Sequence, residues 1–192
     1  MICIRRARPD DAAAIGAVHV ATWRSTYPGV LPEDYLAGMS SVRHAAGYEQ
    51  AIAGRHNGHA VFVAVASGED APAGTPEGGS VVVGFVSGGR ARRLGLGQGE
   101  VETLYLLDDY RDRGVGRRLM RAMAAHLAAV GCRSAMLWVL KDNPTRWFYQ
   151  HLGGKPVARE EIGFAGQRLE QMAFLWDPIE SLLAATAPAP EG

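Results

Sequence analysis

The sequence predicts an α/β fold of the α+β type: a mixed sheet of about six to seven strands with helices on its faces. Three observations predict it. Short apolar runs separated by Gly- and Pro-rich stretches read as strands joined in hairpins. In the middle of the chain, Glu100 to Leu107, Val115 to Val130 and Ala135 to Leu140 read as strand, helix and strand, a crossover unit. The composition, 47% hydrophobic and 21% charged, is that of a globular chain rather than a disordered one.

Each element has its own signal. Ile2 to Arg5 is a short opening strand. Pro9-Asp10-Asp11 starts a helix, with acids near its positive end, and Ala13, Ile15, Val18 and Thr22 fall on or near one face. Trp23 to Pro32 is aromatic and turn-rich, and a second helical region is expected from Glu33 to Ala53. Strands follow at Ala60 to Ala66 and Ser80 to Ser87, around a flexible loop dense in Gly, Pro and acids. A second loop, Gly88 to Gly99, is rich in Gly and Arg. The helix from Val115 repeats apolar residues at helical spacing, and Gly131 is placed to cap it. Asn143-Pro144 opens a short helix through Leu152, with Pro at its first position. Glu160 to Phe164 and Leu169 to Trp176 form a hairpin around Ala165-Gly166.

A chain of 192 residues fits one domain on the usual scale of ~100–200. A single domain is expected over residues 1–180, with residues 181–192, Ala- and Pro-rich, as a flexible tail. Twenty basic residues balance twenty acidic ones, which argues against a general nucleic-acid binder. Cys3 and Cys132 lie far apart with no His/Cys cluster, so neither a disulfide framework nor a metal site is expected. The basic N-terminus runs into Asp10-Asp11 rather than an apolar segment, and no apolar run approaches the ~20 residues that span a bilayer. A cytoplasmic protein without a membrane partner is expected.

The stretch from Glu100 to Met120 carries the chemistry. A strand enters a polar turn, Arg111-Asp112-Arg113-Gly114-Val115-Gly116, which opens directly into a helix. The first N–H groups of a helix have no intrahelical partners and make an anion site. Gly114 and Gly116 keep side chains out of the way, and Arg111, Arg113, Arg117 and Arg118 add positive charge. The physical reading is a pyrophosphate cradle. The dinucleotide motif needs a third glycine and the P-loop needs Gly-Lys-Ser/Thr, and neither is present. On spacing alone, a tight turn leading into a solvated, Arg-rich helix start explains the same residues equally well.

Arg111-x-x-Gly114-x-Gly116, after a strand reading Leu104-Tyr105-Leu106, resembles the (Gln/Arg)-x-x-Gly-x-(Gly/Ala) signature of the GNAT superfamily of acetyl-CoA-dependent N-acetyltransferases. Leu137 to Gly154 resembles the family's second block, roughly Trp-Val-Leu-x-x-Asn…Phe-Tyr-x-x-x-Gly. The run Trp23 to Tyr27 is similar to the opening of many bacterial members. Three departures stand out: Arg111 replaces the commoner glutamine, the spacing from Asn143 to Tyr149 is shorter by one, and Gly153-Gly154 replaces Gly-Phe.

The resemblance implies a mostly antiparallel central sheet. A parallel strand pair, ending near Leu106 and Leu140, splays to form the acetyl-CoA cleft. It implies that Arg111, Asp112, Arg113, Gly114, Val115, Gly116 and Arg117 hold the pyrophosphate. The backbone of Leu104, Tyr105 and Leu106, with Asn143 and Tyr149, would meet the pantetheine arm. Tyr149 would also protonate the departing thiolate. For the base, Glu100 and Glu102 share one face of their strand by its period of two. Glu100 matches a base in some histone-acetylating relatives, and Glu102 lies nearer the expected thioester. Trp23 and Tyr27 read as an acceptor wall, for which cation–aromatic attraction is the reason, or equally as a hydrophobic anchor. His19 and His126 read as packed histidines, and His151 as a surface one.

The expected function is direct transfer of an acetyl group from acetyl-CoA to a primary amine of a small molecule, peptide or protein, without a metal. The alternative is a non-catalytic acyl-CoA-binding or sensor module. Tyr149 and the acid pair, which a pure binder would not need, favour the enzyme. A nucleotide-binding protein using the same cradle is a weaker third reading. The hairpin from Glu160 to Trp176 offers an edge through which a homodimer would form.

Overall fold

The computed structural model describes residues 1–54, 56–93 and 95–188. Its strands are β1 (Ile2–Arg6), β2 (Ala60–Ser67), β3 (Ser80–Arg90), β4 (Gly99–Leu106), β5 (Ala135–Leu140), β6 (Lys155–Phe164) and β7 (Gln167–Trp176). They form one seven-stranded sheet in the order β1-β2-β3-β4-β5-β7-β6. β4 and β5 run parallel, and the other neighbouring pairs run antiparallel. The mixed, mostly antiparallel sheet expected from the sequence is therefore the one observed. The helices are α1 (Ala12–Thr26), α2 (Glu33–Ala37), α3 (Ser41–Gly54), α4 (Val115–Ala129), α5 (Arg146–His151) and α6 (Glu180–Ala185). Among the described residues no helix is long and apolar enough to cross a membrane.

Helices cover both faces of the sheet. α4 buries Val115, Leu119, Met120, Met123, Ala124 and Leu127, a helical repeat, against Val83, Val86, Val101 and Leu137. α1 packs Ile15 and Val18 on the opposite face, against Val63, Val65 and Phe85. With both faces covered, β2 and β3 read as near-continuous apolar runs rather than alternating ones. α1 and α3 cross closely at Gly16, where a β-carbon would sit 2.8 Å from the Ala45 amide nitrogen.

Several boundaries differ from the sequence reading. The helix expected over Glu33 to Ala53 is two helices, because Gly38 ends α2 and Arg24 caps it from outside. The Arg24 guanidinium donates to the carbonyls of Leu36, Ala37 and Met39 at 2.9, 2.9 and 3.2 Å. The short helix after Asn143-Pro144 begins later, at Arg146, because Asn143 and Pro144 form the turn that leads into it. β6 and β7 are longer than expected, and their turn has positive φ at Ala165 (50°) and Gly166 (76°), the backbone a two-residue hairpin requires. The segment read as a tail from residue 181 is in part a packed helix. Leu182 of α6 is fully buried, and Arg121 donates to the Leu183 carbonyl at 2.9 Å. Residues 189–192 of that expected tail lie outside the described residues.

Candidate active site

The cleft originates in a defect of strand pairing. β4 pairs with β5 only at Gly99–Ala135 and Glu100–Met136, after which the two strands part. On its other side β4 carries a bulge: Ser87 pairs with Thr103, yet Gly88 pairs with Val101, so Glu102 is the extra residue. The bulge resets the alternation. Val101, Leu104 and Leu106 all pack with the α4 core, whereas a regular strand would put 101 and 104 on opposite faces. Beyond Glu100, the β5-facing backbone of β4 has no strand partner. The resulting cleft of 890 Å³ is lined by Leu104, Tyr105 and Leu106 along β4 and by Leu137 to Leu140 along β5.

At one end of the cleft lies the cradle. Gly114 caps α4 with φ 73°, a left-handed conformation that suits glycine, and Asp112 has φ 57°. The first bond of α4 runs from the Arg118 amide to the Gly114 carbonyl at 3.1 Å. The amides of Val115, Gly116 and Arg117 are thus left without helical partners at the positive end of a fifteen-residue helix. Arg111 and Arg117 line the cleft with Asp112, Gly114 and Gly116. Both arginines are pre-positioned: Arg111 donates to Thr26 Oγ1 at 3.1 Å and pairs with Asp108, and Arg117 donates to the Ala187 carbonyl. Arg113 does not line the cleft; it pairs with Asp70 and lies over the Tyr110 ring. The Val115 side chain is core, so only its amide is available to an anion.

α5 forms one wall. Tyr149 is buried against Phe148 and Trp176, with ring centroids 5.5 and 6.4 Å away, and lines the cleft. Burial pushes its hydroxyl well above the ordinary phenol value, so it stays protonated. Asn143 also lines the cleft, but both ends of its amide are engaged. Its Oδ1 accepts from the Thr145 amide and its Nδ2 donates to the Tyr27 hydroxyl, each at 2.9 Å. Asn143 therefore ties α5 to α1.

The two acids differ in setting. Glu100 is buried and does not line the cleft; Arg92 holds it from Nη2 at 2.6 Å, and from Nε and the backbone amide at 3.1 Å. Glu102 faces the cleft. His59 Nε2 lies 3.5 Å from its Oε2, and Arg92 Nε lies 3.9 Å from its Oε1. Hydrogen bonding to His59, and the charges of His59 and Arg92, outweigh desolvation and hold the Glu102 carboxyl below its ordinary value of 4.5.

Trp23 and Tyr27 also line the cleft, with ring centroids 5.1 Å apart. His19 is buried, its Nδ1 2.9 Å from the Tyr48 hydroxyl, and burial drives its value down to about 3. The His126 Nε2–H donates to the Gly58 carbonyl at 2.7 Å. Both are packed residues outside the cleft, while His151 sits exposed on its rim. The sequence reading missed His59, and it missed Ile162, Phe164, Leu169 and Gln171 of the β6–β7 hairpin. An aromatic residue directly before a two-residue turn was the available signal for Phe164.

A sheet splayed at a bulged strand, with the start of a helix lining the gap, places an unpaired strand edge and free helix amides in one cleft. The comparisons with known proteins agree. Residues 20–153 match the acetyltransferase (GNAT) family model. The chain is 32% identical over 184 residues to the uncharacterized N-acetyltransferase YuaI of Bacillus subtilis, covering 95% of this chain and 96% of that protein. It is 26% identical over 186 residues to the probable N-acetyltransferase Rv2775 of Mycobacterium tuberculosis, covering 90% and 95%. Among solved structures, the PaiA N-acetyltransferase of Thermoplasma acidophilum, in complex with coenzyme A, superposes with a TM-score of 0.63. It is 16% identical and covers 90% of this chain and 98% of its own. YncA of Salmonella typhimurium, a putative acetyltransferase with acetyl-CoA, gives 0.63 at 20% identity, covering 92% and 94%. The chain belongs to the GNAT acetyltransferase family.

Proposed function

We propose that this acetyltransferase moves the acetyl group of acetyl-CoA directly onto a primary amine, with Glu102 as base and Tyr149 as the proton donor to sulfur. The observation that carries the reading is that one cleft joins the cradle, Tyr149 and Glu102. The residues present fit the donor. The unpartnered amides at the start of α4 and Arg111 and Arg117 suit its pyrophosphate, and the unpaired edge of β4 suits the peptide-like amides of its arm. When bound, acetyl-CoA supplies the reactive thioester carbonyl.

The chain's own residues handle the protons. Glu102, kept ionised by His59 and Arg92, takes the proton that the amine nitrogen sheds as its bond to carbon forms. Tyr149, kept protonated by burial, donates to the departing sulfur as the carbon–sulfur bond breaks. A phenol above ~10 is a weaker acid than a thiol near ~8.5, so Tyr149 acts first as a hydrogen-bond donor to the developing charge. With Glu102 below 4.5, its loss of base function falls on the acid side of that value. Glu100 acts through Arg92 as a structural partner. β6, an edge strand of the sheet, is where two copies would pair.

The test is acetyl-CoA binding by calorimetry for wild type and Gly114→Glu, with circular dichroism to confirm folding. Wild type is expected to bind at micromolar level. The variant places a fixed negative charge in the cradle and is expected to bind at least ~100-fold more weakly. Equal affinity in both would place the cofactor elsewhere.

A further inference from the structure

We infer that the acceptor is a primary amine carrying one positive charge on an aromatic or aliphatic body, with neither a carboxylate nor a second amine. The inference rests on the acetyltransferase reading above and narrows its substrate class. The acceptor end of the cleft is an aromatic box. Trp23 from α1 packs against Tyr27, Phe164 and Tyr105, with centroids 5.1, 5.8 and 6.3 Å away. Tyr35 backs Phe164 at 5.2 Å, so the tip of the β6–β7 hairpin lies over α1 and closes this end. Trp138, Leu140, Ile162 and Leu169 complete the apolar wall.

Charge narrows the class further. Apart from Asp112 in the cradle, Glu102 is the sole carboxylate lining the cleft among the described residues, and the arginines that line it, Arg111 and Arg117, belong to the cradle. One acid suits one ammonium, which loses a proton to solvent before its nitrogen attacks. A polyamine would leave its further charges against aromatic and aliphatic side chains with no carboxylate to meet them. An amino acid would bring a carboxylate, and the nearby guanidiniums are already engaged. Arg92 is held by Glu100, and Arg93 by Glu160 at 2.7 and 3.0 Å. Glu170 does not line the cleft and is paired with Lys141 at 2.7 Å. Glu102, Trp23 and Phe164 line the same cleft, so an ammonium paired with Glu102 can bury its body against the aromatic rings, where apolar burial and ring contact supply the affinity.

The test compares three amines under saturating acetyl-CoA, following release of free thiol: 2-phenylethylamine, L-phenylalanine, which adds only a carboxylate, and spermidine. We expect kcat/KM for 2-phenylethylamine to exceed both others by at least about tenfold. Preference for spermidine or phenylalanine, or no turnover of 2-phenylethylamine by protein that binds acetyl-CoA, overturns the inference and leaves the acetyltransferase reading standing. Failure to bind acetyl-CoA in calorimetry removes both. Phe164→Ala is expected to raise KM for 2-phenylethylamine about tenfold, with acetyl-CoA affinity held within about twofold. An unchanged KM overturns the aromatic box as the site of the amine's body. Should Phe164→Ala fail to fold, the comparison of amines on wild type decides alone.

Discussion

The two ends of the cleft are built from different materials. The cradle is local: six consecutive residues, one helix start and two arginines, with backbone amides as its main donors. The proposed acceptor end draws on α1, β4, β5 and the β6–β7 hairpin, and it presents side chains to the cleft. A backbone site depends little on which side chains surround it, provided that a glycine keeps the approach open. A side-chain site changes with every substitution.

The largest effect expected is at the junction of the two ends. Glu102→Gln removes the base and should lower kcat by about 10²–10⁴-fold while leaving acetyl-CoA affinity unchanged. Glu100→Gln should do the reverse: turnover stays near wild type, and stability falls by about 1–2 kcal/mol in urea melts, because the Arg92 contacts weaken. If Glu100→Gln proves the more damaging to kcat, the division of labour between the acids is wrong. Tyr149→Phe should cost less, about 10–100-fold in kcat, because the ring still packs and the departing sulfur can find water. An unaffected kcat in a well-folded Tyr149→Phe protein would leave the departing sulfur with another donor.

The stability of the fold should also be sensitive to acid through α1. His19 sits behind Trp23, its value driven down to about 3 by burial and by His44 beside it. The unfolded chain binds a proton at this side chain below about pH 6.5, while the folded one does not until far lower. Stability is therefore complete above that pH and falls as pH drops. Between pH 7 and pH 5 the loss should be about 2 kcal/mol, read as a melting temperature lower by roughly 4–8 °C. His19→Asn should flatten this slope, and a slope that persists would assign it to other groups. The smallest effect belongs to the hairpin tip. Ala165 has φ 50°, a conformation costly for a residue with a β-carbon. Ala165→Gly should therefore raise stability by about 0.5–1 kcal/mol in urea melts, with no change in the cradle.

The turn that opens α4 was legible in the sequence because its residues are contiguous, from Arg111 through Arg117. So were the sheet class, α4 and the hairpin turn, because periodicity and turn residues are local signals. Arg113 shows the limit within that segment: its spacing matched its neighbours, but Asp70, far away in the chain, captured it. The split of the Glu33 to Ala53 helix depended on Arg24, and the packing of α6 on α4 turned part of an expected tail into a wall of the core.

By itself the sequence determined the sheet class, the glycine-rich turn that opens α4 and the pair of acids on one strand. The tertiary structure alone decided which acid faces the cleft. That choice needed the bulge at Glu102 and the meeting of Arg92 with Glu100 and of His59 with Glu102. Strand period and helix dipoles are properties of neighbouring residues. The ionisation of a carboxylate and the shape of an acceptor pocket depend on groups that only folding brings within a few ångströms.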